Sequence, residues 1–153
     1  MSDIRVVLVD DQLLFRKGVR ALLEEEGGFQ VAGEATNGAQ GLETVLATHP
    51  DVVLMDVQMP VCTGVEATRS IKAQRPETRV IMLTVSDADD DLFEAIKAGA
   101  DGYLLKNLKP DELFQMIHGV MAGETPISAP VEANSNDCMI DGNWPCTVAA
   151  VIR

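Results

Sequence analysis

Apolar residues along this chain switch repeatedly between two spacings. Ile4-Arg5-Val6-Val7-Leu8-Val9 is β-branched and nearly continuous, then meets Asp10 and Asp11. That run predicts a strand buried on both faces. From Leu13 to Glu26, Phe15, Val19, Leu22 and Leu23 recur at helical intervals until Gly27-Gly28 stops them, predicting an amphipathic helix. A second strand is predicted over Phe29 to Glu34. A helix follows over Gly38 to Thr48, with Asn37 as its N-cap and Pro50 beyond its end. Asp51 to Asp56 predicts a third buried strand, and Gly64 to Gln74 a helix capped by Thr63 and stopped before Pro76. Arg79 to Thr84 predicts a fourth strand. Asp87 to Ala98 predicts a helix carrying Leu92, Ala95 and Ile96, with acids in its first turns and Gly99 as its cap. Gly102 to Leu105 predicts a fifth strand, ending at Lys106. Pro110 opens a last helix with Leu113, Ile117, Val120 and Met121 on one face. Five strand–helix pairs in strict alternation predict an α/β fold, a parallel sheet with helices on both sides.

After Ala122 the pattern dissolves. The remaining stretch holds Pro126, Pro130 and Pro145, a polar Asn-Ser-Asn-Asp segment and no sustained period. The expected organisation is therefore one domain over residues 1–122 and a linker remnant with a non-native or disordered tail over residues 123–153. Twelve Lys and Arg stand against twenty-four Asp and Glu, a net charge of −12. Phosphate contacts need clustered cations, so unaided binding to DNA or to an anionic membrane is not expected. No apolar run is long enough to span a bilayer, and the N-terminus lacks the pattern of a signal peptide. The cytoplasm is the expected compartment. Cys62, Cys138 and Cys146 have no metal-ligand spacing and read as free thiols.

In an open parallel sheet, ligands bind beyond the carboxyl ends of the strands. Strand one delivers Asp10 and Asp11 there, strand three Asp56, strand four Thr84 and strand five Lys106. Three carboxylates at one rim repel unless a cation joins them, and an all-oxygen set of this charge suits Mg²⁺ or another hard divalent ion. Asp56 could then act as a nucleophile toward a phosphoryl group. Lys106 would offer charge and Thr84 a hydrogen bond to its oxygens. Singly, each residue has an ordinary use: a helix-capping turn, a strand residue, a surface lysine. Their conjunction at successive strand ends is what points to chemistry.

Val-Leu-Val-Asp-Asp (7–11), Val-Val-Leu-Met-Asp-Val-Gln-Met-Pro (52–60), Val-Ile-Met-Leu-Thr (80–84) and Ala-Gly-Ala-Asp-Gly-Tyr-Leu-Leu-Lys (98–106) together resemble the receiver domain of two-component response regulators. The resemblance covers roughly residues 3–122. It implies a flavodoxin-like, doubly wound (βα)5 sandwich with strand order 2-1-3-4-5. It implies Asp56 as phosphoacceptor, and Asp10, Asp11, Asp56 and the backbone carbonyl of Gln58 as metal ligands. Thr84 and Lys106 fall on the family's signalling hydroxyl and lysine, and Tyr103 on its switch aromatic. The segments Gln12 to Gly18, Gly64 to Thr68 and Gly102 to Lys106 resemble the NarL/LuxR-type branch. That branch normally continues into a C-terminal helix-turn-helix, which residues 123–153 are not expected to form. Asn107 stands where many receivers have a proline.

The resemblance implies a histidine kinase as phosphoryl donor and a homodimer on phosphorylation. DNA would be contacted only through the missing output domain. Catalysis would be limited to self-phosphorylation and self-dephosphorylation. A phosphatase with an aspartate nucleophile would want a second acid two residues on, where Gln58 stands. A dinucleotide-binding domain would want glycines where Asp10 and Asp11 stand. A degenerate receiver serving only as a docking scaffold would lack part of the site, and all five residues are present.

Overall fold

The alternation of spacings is realised as five parallel strands and five helices in a computed structural model of the chain. The structure describes residues 3–57, 59, 62–85, 89–107, 109–123, 139–140 and 144–145. In order these are β1 (Ile4–Val9), α1 (Leu13–Glu26), β2 (Phe29–Ala35), α2 (Gly38–Thr48), β3 (Val52–Asp56), α3 (Gly64–Gln74), β4 (Arg79–Thr84), α4 (Asp89–Ala98), β5 (Gly102–Leu105) and α5 (Pro110–Met121). The sheet order is β2-β1-β3-β4-β5, the flavodoxin-like arrangement.

β1 and β3 lie in the middle of the sheet and are almost wholly apolar, because helices cover both of their faces. Val6, Val7, Val52, Val53 and Met55 are fully buried there. The helices begin and end where the sequence provides caps. Asn37 accepts from the Gln40 N–H, and Thr63 forms a reciprocal capping box with Glu66. Gly27 and Gly28, both at positive φ, turn the chain out of α1 into β2.

The element boundaries differ from the sequence expectation by a residue or two. β3 begins at Val52. Asp51 instead spends its side chain on the Arg5 N–H, at 2.9 Å. β2 runs on to Ala35, whose carbonyl accepts from the Asp10 N–H at 3.0 Å. α4 begins at Asp89, and residues 87 and 88 lie outside the described ones. Past α5, the described residues pair as a two-residue antiparallel ladder, β6 (Met139–Ile140) with β7 (Trp144–Pro145). This ladder was not among the elements expected. Apart from Gly123, the rest of the expected tail, with Cys138 and Cys146, lies outside the described residues.

Candidate functional site: an acidic rim at the strand ends

Strand register builds the site. Val9 of β1 pairs with Met55 of β3, so Asp10 emerges beside Asp56. Asp56 pairs with Leu83 of β4, one residue short of Thr84, and Thr84 pairs with Leu105 of β5, one residue short of Lys106. The Lys106 N–H donates to the Thr84 carbonyl at 2.7 Å, closing the row. Residues from four separate segments are thereby placed at one rim by backbone pairing alone.

The chemistry then follows from burial. Asp10 and Asp56 are 3% and 6% exposed, whereas Asp11 faces solvent. One oxygen of each of the three carboxylates lies within 4.8 Å of the others. Oxygens sharing one Mg²⁺ sit about 3–4 Å apart, given ligand distances of about 2.1 Å. The all-oxygen donor set, with one open side at Asp11, fits such an ion. The Lys106 ammonium counters the two buried acids. It lies 2.6 Å from Asp10 Oδ2, an ion pair rather than an aligned hydrogen bond, and 3.4 Å from Asp56 Oδ2. It also donates to Gln12 Oε1 at 2.7 Å and sits 4.6 Å above the centre of the Phe15 ring.

Two glycine and arginine features hold this rim in shape. A Cβ at Gly64 would lie 2.0 Å from the Asp56 carbonyl oxygen, so only glycine lets the start of α3 close on β3. Arg16, on α1, is almost fully buried. Its Nη1 donates to the Asp10 carbonyl at 2.6 Å and its Nε to Glu34 at 3.0 Å. Glu34 also pairs with Arg20. Burial alone would raise the Glu34 pKa, but the hydrogen bonds from Arg16 and Arg20 outweigh it, and the carboxyl is held below its ordinary value. The Arg20 guanidinium is raised in turn, first by Glu34.

Thr84 and Tyr103 share one face of the sheet. Met82 pairs with Tyr103 and Thr84 with Leu105, so the four side chains stand on the same side by strand alternation. Both Thr84 and Tyr103 are buried, at 2% exposure each. The structure therefore brings together Asp10, Asp11, Asp56, Thr84 and Lys106, with Tyr103 one layer deeper. Gln58 lies outside the described residues. No peptide bond among the described residues is cis, the bond from Lys106 to Asn107 included. Cys62 is a free thiol whose pKa is pushed up by burial and then by Glu66, which leaves it a weak nucleophile.

Sequence reasoning missed Gln12, Phe15, Arg16 and Glu34 as parts of this site. Arg16 did leave a signal: with Val19 and Leu23 it forms the buried face of α1, so a cation stands on an apolar stripe.

The response regulator receiver domain family model matches residues 6–118. The nitrate/nitrite response regulator protein homolog of Haemophilus influenzae is 36% identical over 129 residues, covering 84% of this chain and 62% of the relative. The nitrate/nitrite response regulator protein NarL of Escherichia coli is 37% identical over 123 residues, covering 80% of this chain and 57% of the relative. The chain thus spans less than two thirds of the length of these relatives. The crystal structure of a LuxR-family two-component response regulator from Aurantimonas sp. superposes with a TM-score of 0.76 at 36% identity, over 80% of this chain and 88% of that one.

Proposed function

The chain belongs to the response regulator receiver domain family, in its NarL/LuxR-type branch, and from that premise we propose that Asp56 is the residue a histidine kinase phosphorylates. The observation that carries the assignment is the position of Asp56: buried, central in the acidic rim, and sharing Lys106 with Asp10.

Receiver domains take up Mg²⁺ at an acidic pocket of this kind. Asp10, Asp11 and Asp56 would hold the ion here, with the carbonyl of Gln58 as a further expected protein ligand. When bound, the ion neutralises negative charge shared between these carboxylates and an incoming phosphoryl group. The residues of the chain do the rest. An Asp56 oxygen attacks phosphorus, a P–O bond forms, and the P–N bond to the kinase imidazole breaks. The electron pair stays on the imidazole nitrogen, and the product on Asp56 is an acyl phosphate. Lys106 and Thr84 would meet the phosphoryl oxygens, one as a charge and one as a hydroxyl donor. Transfer needs little more than positioning and charge compensation. The chain is therefore a switch that modifies itself rather than an enzyme that turns over.

The switch would run from Thr84 to Tyr103 on the shared face of the sheet and alter the surface of α4, β5 and α5. In a full-length regulator this surface would govern dimerisation and an output domain that binds DNA. We place the receiver within residues 1–122, in the cytoplasm. Among the described residues no helix is long and apolar enough to cross a membrane.

Incubation with acetyl phosphate and Mg²⁺ tests the assignment. The expected product carries one acid-stable, base-labile phosphoryl group, absent in Asp56→Asn and in chelator. Labelling of Asp56→Asn at the parent rate would overturn it. Release of many equivalents of phosphate would favour a phosphatase instead.

A further inference from the structure

Among the described residues, three oxygens stand around the three-proton ammonium of Lys106: Asp10 Oδ2 at 2.6 Å, Gln12 Oε1 at 2.7 Å and Asp56 Oδ2 at 3.4 Å. Two of these oxygens belong to acids of the proposed phosphorylation site. The third belongs to a neutral, exposed residue at the start of α1. The Gln12 backbone is tied down there. Its N–H donates to Asp10 Oδ1 at 2.8 Å, and its carbonyl accepts from the Arg16 N–H at 3.1 Å. Its side chain makes no capping hydrogen bond to the helix and reaches Lys106 instead. The Phe15 ring, 4.6 Å away, adds a second hold from the same helix. The ammonium is thus drawn toward α1, and its contact with Asp56 is the longest of the three.

We propose that Gln12 is a positioning residue for Lys106, holding the ammonium back from the place a phosphoryl group on Asp56 would occupy. The proposal rests on the reading of Asp56 as phosphoacceptor. Acylation removes the charge of the Asp56 carboxylate and moves it outward onto the phosphoryl oxygens, so the ammonium exchanges its 3.4 Å contact with Asp56 for a phosphoryl oxygen. That charged oxygen and Asp10 both attract the ammonium more strongly than a neutral amide does, so the Gln12 contact is the one that stretches as the ammonium follows. Position 12 thereby sets how readily the phosphorylated state forms and how long it lasts, without touching phosphorus itself.

The test uses the full chain with Gln12→Met, which keeps the length and loses the acceptor, and Gln12→Glu, which keeps an acceptor and adds charge. Each is titrated calorimetrically with Mg²⁺ alone and with beryllofluoride plus Mg²⁺, and the Lys106 ammonium is followed by nitrogen NMR in the metal-free protein. Gln12→Met is expected to bind beryllofluoride about fivefold more tightly, the order of one lost hydrogen bond, with Mg²⁺ affinity within about twofold of the parent. Gln12→Glu is expected to bind it more weakly than the parent. The ammonium signal, protected from solvent exchange in the parent, is expected to vanish in Gln12→Met and persist in Gln12→Glu. An unchanged beryllofluoride affinity in Gln12→Met would overturn the proposal. So would a Mg²⁺ affinity that moves in step with it, since that would mark a structural effect. A parent chain that fails to bind beryllofluoride would overturn the Asp56 reading first and this inference with it, whereas failure confined to the variants removes Gln12 alone.

Discussion

Lys106 brings one positive charge to a rim that holds Asp10, Asp11 and Asp56, so without a cation the carboxylates remain in net repulsion. Neutralising one of them relieves it. Asp56→Asn is expected to melt higher than the parent in chelator, its unfolding free energy raised by about 1–3 kcal/mol for one like-charge interaction at this spacing. The gap should close as Mg²⁺ is added, because a ligand that binds only the folded state stabilises the parent by mass action. Scanning calorimetry with and without Mg²⁺ measures both arms. If Asp56→Asn melts lower than the parent in chelator, the rim is not under repulsion. In the proposed switch, Thr84 acts after the chemistry. Thr84→Ala is expected to accept a phosphoryl group within about tenfold of the parent rate, since the loss is one hydrogen bond among several contacts. It should then show no phosphorylation-dependent change in oligomeric state by light scattering. A normal response in that variant would exclude a relay through Thr84 and Tyr103. At this scale the sequence was legible for Asp10, Asp11, Asp56, Thr84 and Lys106, because each is the polar residue that ends an apolar strand. It was silent on Gln12, whose partner lies 94 residues away and is chosen by strand order.

Elements were legible wherever period and punctuation agreed. α2 and α3 begin and end where their caps and the prolines beyond them predict. α1 keeps its predicted bounds too, but its apolar stripe says nothing of the ion pair that fastens it. Arg16 reaches Glu34 across 18 residues, and that contact exists only because β2 lies beside β1. Nothing in the alternation of spacings dictates that order; resemblance supplied it. The Arg16–Glu34–Arg20 cluster has a pH signature. Glu34 is held below its ordinary value in the folded chain, so its contribution is fully present above the unfolded value of 4.5 and is lost as pH falls through the lower, folded one. Glu34→Gln is expected to cost about 1–3 kcal/mol in urea unfolding at neutral pH, with the gap from the parent narrowing on acidification below about pH 4.5. A gap that does not depend on pH would assign the cost to packing instead.

For the whole molecule, the family match covers residues 6–118 and α5 ends at Met121, and the proposed receiver ends at residue 122. Limited proteolysis is expected to leave a core ending between residues 122 and 130 that is phosphorylated at the parent rate. A core that loses phosphorylation on trimming would show that later residues serve the site. The acidic rim also has a consequence in time. Its members lie at the ends of β1, β3, β4 and β5, and chains fold as they emerge from the ribosome, N-terminal parts first. Asp10 and Asp11 are made early, Asp56 halfway, and Lys106 only after β5, yet the pocket exists only when all four strands are paired. Parallel pairing of distant segments is slow to form. A nascent chain on the ribosome would therefore carry the proposed phosphoacceptor well before it could use it, and partly synthesised copies would neither drain phosphoryl groups from the proposed kinase nor report a signal.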